Sequence, residues 1–156
     1  MIAYKNHLIF YGGQSTVLGM AQSFTLRDMY DYDIEIGTWS VRNQNVMERF
    51  GRRNHAAWIL KRFMVVYGGM NDFGQSMDSL NIYDLEKDSW LENIRVKGKH
   101  IPPAISHAAT CSVFFEQRNH QHLRGIYNLP PVPEIEKKQV IKQEGFYLFG
   151  GFLSNA

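Results

Sequence analysis

The segment Phe63-Met64-Val65-Val66-Tyr67-Gly68-Gly69, followed by Leu80-Asn81-Ile82-Tyr83-Asp84 and then by Trp90, decides the fold. Phe63–Tyr67 is a continuous apolar run, the pattern of a strand covered on both faces. Leu80–Tyr83 alternates apolar with polar, the pattern of a half-buried strand. The same marks occur earlier as Gly12-Gly13, Tyr32-Asp33 and Trp39, and a third series begins at Gly150-Gly151. Asp33 to Asp84, Glu35 to Glu86 and Trp39 to Trp90 each span 51 residues. The glycine pairs step by 56, from Gly12 to Gly68, so five extra residues fall in the first copy's loop around Gln14 to Arg27. His55-Ala56-Ala57 matches His107-Ala108-Ala109 at a step of 52. A shared period near 50 with variable loops marks a propeller or a repeat array.

In the complete copy the expected strands are His55–Lys61, Phe63–Tyr67, Leu80–Asp84 and Ser89–Asn93. Asp72-Phe73-Gly74 and Glu86-Lys87-Asp88 supply turn chemistry between them. These residues resemble the kelch repeat: a glycine pair closing the second strand, Tyr-Asp on the third, Trp on the fourth, and a His with small residues on the first. The resemblance implies an all-β fold of kelch-type β-propeller blades, each of four antiparallel strands. The first blade is expected over about 1–44, the second over about 53–94, and an incomplete third over about 105–156 with an insertion at 116–144. Trp39 and Trp90 are expected to fill the gap between adjacent blades, and Asp33 and Asp84 to accept hydrogen bonds at strand ends.

The strand count leaves the propeller open. Ile2–Tyr4 supplies at most the tail of a first strand, the second copy supplies four strands and the third two, about two and a quarter blades. Propellers close with roughly 4–8 blades. The expectation is a fragment completed by further blades of a longer chain or of another subunit.

Composition narrows the function classes. The chain has 156 residues, 44% hydrophobic and 13% aromatic, with a formal charge of +2 and no run of like charges. That balance points away from nucleic acid and from anionic membranes. No stretch approaches the apolar length of a membrane span, and no apolar segment follows a basic start as in a signal peptide. Cys111 is the single cysteine, which suits a reducing compartment, and it is expected as a small buried thiol. The location expected is cytoplasmic, with cytoskeletal or ciliary sites among those the resemblance implies.

Alternation of strand direction puts the second-to-third-strand loops and the blade-to-blade links on one face. That face carries Gln14, Ser15, Asn71 and Asp72, and also Arg52, Arg53 and Asn54 just before the first strand of the second blade. The resemblance implies a ligand face here. An arginine rim could take acidic or extended peptides by bidentate pairing, or one arginine could tie the blades together. The third copy has Pro103-Ala104-Ile105-Ser106 at this place and no arginine, so no continuous ring is expected. His120 and His122 form a His-x-His pair without further ligands in view, and no metal or cofactor is expected. Phosphate-loop and nucleophile-elbow motifs are absent. The reading is a non-catalytic protein-binding scaffold or adaptor, with a ubiquitin-ligase substrate receptor among the implied roles. The alternative is a piece of a propeller enzyme, such as a copper oxidase, whose centre lies in other blades.

Overall fold

The computed structural model describes residues 1–16, 23–42, 51–92, 94–113 and 145–153. The chain divides into two units, Met1–Cys111 with Leu148–Ala156, and Ser112–Tyr147. Of the second unit only residues 112–113 and 145–147 are described, so the insertion expected at 116–144, with His120 and His122, lies outside the described residues.

In chain order the first strands are β1 (Ile2–Tyr4), β2 (His7–Tyr11), β3 (Gln14–Thr16), β4 (Ser23–Thr25), β5 (Met29–Asp33) and β6 (Thr38–Val41). They are followed by β7 (Ala56–Leu60), β8 (Phe63–Tyr67), β9 (Leu80–Asp84) and β10 (Ser89–Trp90). The last are β11 (Ile105–Ser106), β12 (Ala109–Val113), β13 (Gly145–Phe149) and β14 (Phe152–Leu153). Two four-stranded antiparallel sheets result, ordered β1-β2-β5-β6 and β10-β9-β8-β7. The expected second and third strands of the complete copy stand at their expected limits, while its fourth stops at Trp90. Ile2–Tyr4 is a true, if short, first strand, paired to β2 with Ile2 opposite Ile9.

The core of the first unit lies between the two sheets. Ile9, Tyr11 and Met29 from the first sheet meet Met64, Val66 and Tyr83 from the second, with Leu85 beside them. Trp90 joins from the rim, its ring centroid 5.2 Å from Tyr11 and 5.0 Å from Tyr83. It therefore fills the gap between blades, as aromatic pairs at such distances do. Trp39 does not: it rests on Phe10 and Tyr32 of its own sheet and is 59% exposed. The position is equivalent, but among the described residues no sheet covers that side of the first blade.

The glycine pairs join one blade to the next. Gly12 and Gly68 share a left-handed φ of 65°. A Cβ at Gly12 would collide with the Arg52 carbonyl oxygen, and one at Gly68 with that of Ile105. The following glycines donate to those same carbonyls, Gly13 to Arg52 and Gly69 to Ile105, each at 2.8 Å. Glycine is needed because backbone approaches backbone there.

This junction corrects one repeat register. Arg52 N–H donates to Leu26 O and Ile105 N–H to Met77 O, both at 3.1 Å. Arg52 is thus equivalent to Ile105, a step of 53 from 52 to 105. Asn54 (φ 54°) and His107 (φ 58°) share the left-handed position of that register. His107 therefore replaces Asn54 and not His55, and the recurrence of His-Ala-Ala is a coincidence of composition. Tyr32, Asp33, Tyr83 and Asp84 occupy equivalent strand ends as expected. Asp33 accepts from the N–H groups of Glu35 and Ile36, Asp84 from those of Glu86 and Lys87.

Candidate protein-interaction face

The loop expected over Gln14–Arg27 is partly a hairpin, β3 against β4, with Gln14 opposite Thr25 and Ser15 opposite Phe24. From the next blade, Asn71 caps its own turn. Its Oδ1 accepts from Phe73 N–H and Gln75 N–H, both at 3.0 Å, and its N–H donates to Gln75 O at 3.0 Å. Asp72 locks that turn to the hairpin. Its Oδ1 accepts from the Thr25 N–H and from the Thr25 hydroxyl, the latter at 2.8 Å. Those bonds, with Arg53 and Arg27 nearby, hold the Asp72 carboxyl below the ordinary carboxylate value. Gln14, Ser15, Asn71 and Asp72 are thus brought onto one loop surface.

Arg52 is not on it. Arg52 is 2% exposed. Its guanidinium donates to Gly68 O at 3.1 Å, Ser79 Oγ at 3.1 Å and Asn81 Oδ1 at 3.4 Å. It ties its own blade together across the mouth of β8 and β9, so the expected acid-binding rim is corrected to an internal brace. Arg53 is half-buried, exchanges backbone hydrogen bonds with Met70 and donates to its sulfur at 3.4 Å. Asn54 is exposed, with its amide nitrogen 2.7 Å from His107 Nε2. Beneath these, burial and the neighbouring Arg52 push the His55 imidazole down to about 4. Cys111, expected buried, is exposed.

Sequence reasoning missed Phe73. It sits at the tip of the Asn71 turn beside Gly74 and is 83% exposed, above every other large hydrophobic side chain among the described residues. An aromatic between Asp and Gly in a turn was the available signal. Trp58 was also missed as a brace: it is buried and donates its indole N–H to Cys111 O at 3.1 Å.

On the opposite face the two sheets share a polar network. Arg42 pairs with Asp31 at 2.7 Å and with Asp88 at 3.2 Å, and it donates to Leu85 O at 2.8 Å. Tyr83 donates to Asp88 at 2.6 Å, and its phenol is raised by burial and by that carboxylate. Among the described residues no three His, Cys, Asp or Glu side chains converge as a metal site, and no helix is long and apolar enough to cross a membrane.

Two blades of four antiparallel strands, joined through glycine pairs, define a β-propeller class of protein. The family model for the KLHDC2/KLHL20/DRC7 kelch-repeats domain matches residues 1–120, and the chain belongs to the kelch-repeat family. It is similar to Kelch-like protein 15 of Danio rerio, with 25% identity over 125 residues, 80% of this chain. The chain spans 20% of the length of that curated relative. Kelch repeats are commonly protein-interaction modules.

Proposed function

We propose that this chain is part of a kelch propeller that binds protein partners through its loop face, without catalysis, as a scaffold or adaptor. The carrying observation is the Asn71–Gln75 turn. The N–H groups of Asn71, Phe73, Gly74 and Gln75 are bonded within the turn, Asp72 fastens it to the β3–β4 hairpin, and it holds Phe73 out to solvent. An aromatic side chain on a pre-organised loop is the kind of group that dominates binding energy, because little ordering entropy is lost on contact. Gln14, Ser15 and Asn54 supply hydrogen-bonding groups on the same face, and further blades would come from a longer chain or another subunit. This face suits an extended peptide segment more than an acidic one, since Arg52 is spent internally.

The test is partner capture by the folded chain and by Phe73→Ala. Phe73 is exposed, so its removal should leave the melting temperature within about 1–2 °C while weakening capture about tenfold or more, as loss of a hot-spot aromatic does. Undiminished capture would refute the assignment.

A further inference from the structure

The face opposite those loops carries an open cleft of about 460 Å3 between the two sheets. It is lined by Tyr4, Lys5, Lys61, Arg62, Phe63 and Glu86. Lys5 lies in the β1–β2 turn, Lys61 and Arg62 in the β7–β8 turn, and Glu86 in the β9–β10 turn.

The two lysines are placed by the repeat. The last pair of each hairpin, Tyr4 opposite His7 and Leu60 opposite Phe63, puts Lys5 and Lys61 at the same turn position. Both hold left-handed backbone, φ 53° and 57°. Glycine or asparagine would sit there with less strain, which for another residue costs about 1–3 kcal/mol. A recurrent lysine in so unfavourable a conformation points to use of its side chain.

Chemistry in the cleft already shows what it holds. One carboxylate, Glu86, gathers the Tyr4 hydroxyl at 3.1 Å, Lys5 Nζ at 3.4 Å and Arg62 at 3.6 Å. Arg62 also pairs with the buried Asp84 at 3.1 Å. Among the described residues Lys61 has no carboxylate partner, so Lys5, Lys61 and Arg62 face one rim carboxylate. The floor is aromatic: Lys5 Nζ lies 5.0 Å over the Tyr4 ring and Arg62 5.0 Å over Phe63.

We propose that this cleft binds an acidic, partly apolar peptide segment of a protein partner, a ligand carboxylate bridging Lys5 and Lys61 while its apolar neighbour packs on Tyr4 and Phe63. The proposal rests on the reading of the chain as a protein-interaction module, but it uses the other face. Glu86 acts as an internal competitor for the ligand carboxylate.

The probe is a blocked, fluorescein-labelled hexapeptide alternating glutamate with phenylalanine, titrated into the full chain at low salt and read by anisotropy. Its glutamine counterpart is the control. The glutamate peptide should bind and the glutamine peptide should not. Lys5→Gln with Lys61→Gln should weaken binding about fivefold or more, the scale of two exposed charge pairs, with melting unchanged. Glu86→Gln should tighten binding, whereas Glu92→Gln, the same charge change outside the cleft, should not. Absence of binding, equal binding of both peptides, indifference to the lysine pair, or equal effects of the two glutamate variants would each overturn the proposal. Loss on Phe73→Ala with the lysine pair indifferent would overturn the cleft while leaving the loop-face reading in place.

Discussion

Replacing Gly68 with alanine should destabilise the fold far more than the same change at Gly74, although both glycines hold left-handed backbone, φ 65° and 76°. The conformational penalty of a Cβ there is about 1–2 kcal/mol and is common to both. At Gly74 nothing lies within 4 Å of the new methyl, so that penalty is the whole cost. At Gly68 the methyl would collide with the carbonyl oxygen of Ile105, a backbone atom that cannot swing aside as a side chain does. Moving that backbone adds an overpacking cost of about 1–3 kcal/mol. It also endangers the bond from Gly69 N–H to Ile105 O at 2.8 Å, whose loss adds about 0.5–1.5 kcal/mol. Gly68→Ala should therefore cost about 2.5–6.5 kcal/mol against about 1–2 for Gly74→Ala. Urea titration followed by tryptophan fluorescence reads both variants, and the comparison holds if the m-value stays constant. Equal losses would refute the idea that the glycine exists to admit the next blade's backbone.

Trp90→Ala should cost about 3–5 kcal/mol as an interblade aromatic is removed, while Trp39→Ala, at a 59% exposed ring, should cost no more than about 1 kcal/mol; thermal melts compare them. Because the His55 imidazole is held near 4 in the fold against an ordinary 6.5, the unfolded chain takes up a proton first as pH falls. Stability should be flat above pH 6.5 and drop by about 3 kcal/mol on approaching pH 4, and His55→Gln should remove that slope in urea titrations at several pH values. Arg52→Met should lower the urea midpoint by an amount worth about 2 kcal/mol or more, since Gly68 O and the Ser79 hydroxyl lose a buried donor; an unchanged midpoint would return Arg52 to the surface.

Much of the fold was legible because its marks have a backbone cause. An apolar run ending in two glycines has few uses other than a buried strand whose end another backbone approaches, and Phe63–Gly69 is that. The alternation of Leu80–Tyr83 likewise fixed the third strand at its limits. The step between blades was misread by one residue because His-Ala-Ala recurs by composition, whereas the true equivalence of Asn54 and His107 lies in φ, which letters do not carry. Gln14–Thr16 and Ser23–Thr25 gave no apolar pattern, so their hairpin was invisible. The site was less legible still. An arginine just before a strand reads the same whether its guanidinium faces a ligand or curls under the blade, and only the carbonyls around Arg52 decide it.

The glycine junctions also bear on how the protein would open. Arg52 and Ile105, which lead into the second and third blades, each have backbone N–H and C=O bonded to the blade before, by its glycine pair and its third-strand approach. Disorder in one blade therefore releases the leading edge of its successor, so opening should travel along the chain in one direction more readily than in the other. Hydrogen exchange would record this as a polarity, with the N–H groups of Gly13 and Gly69 reporting the integrity of the neighbour they touch and not only that of the strand they end.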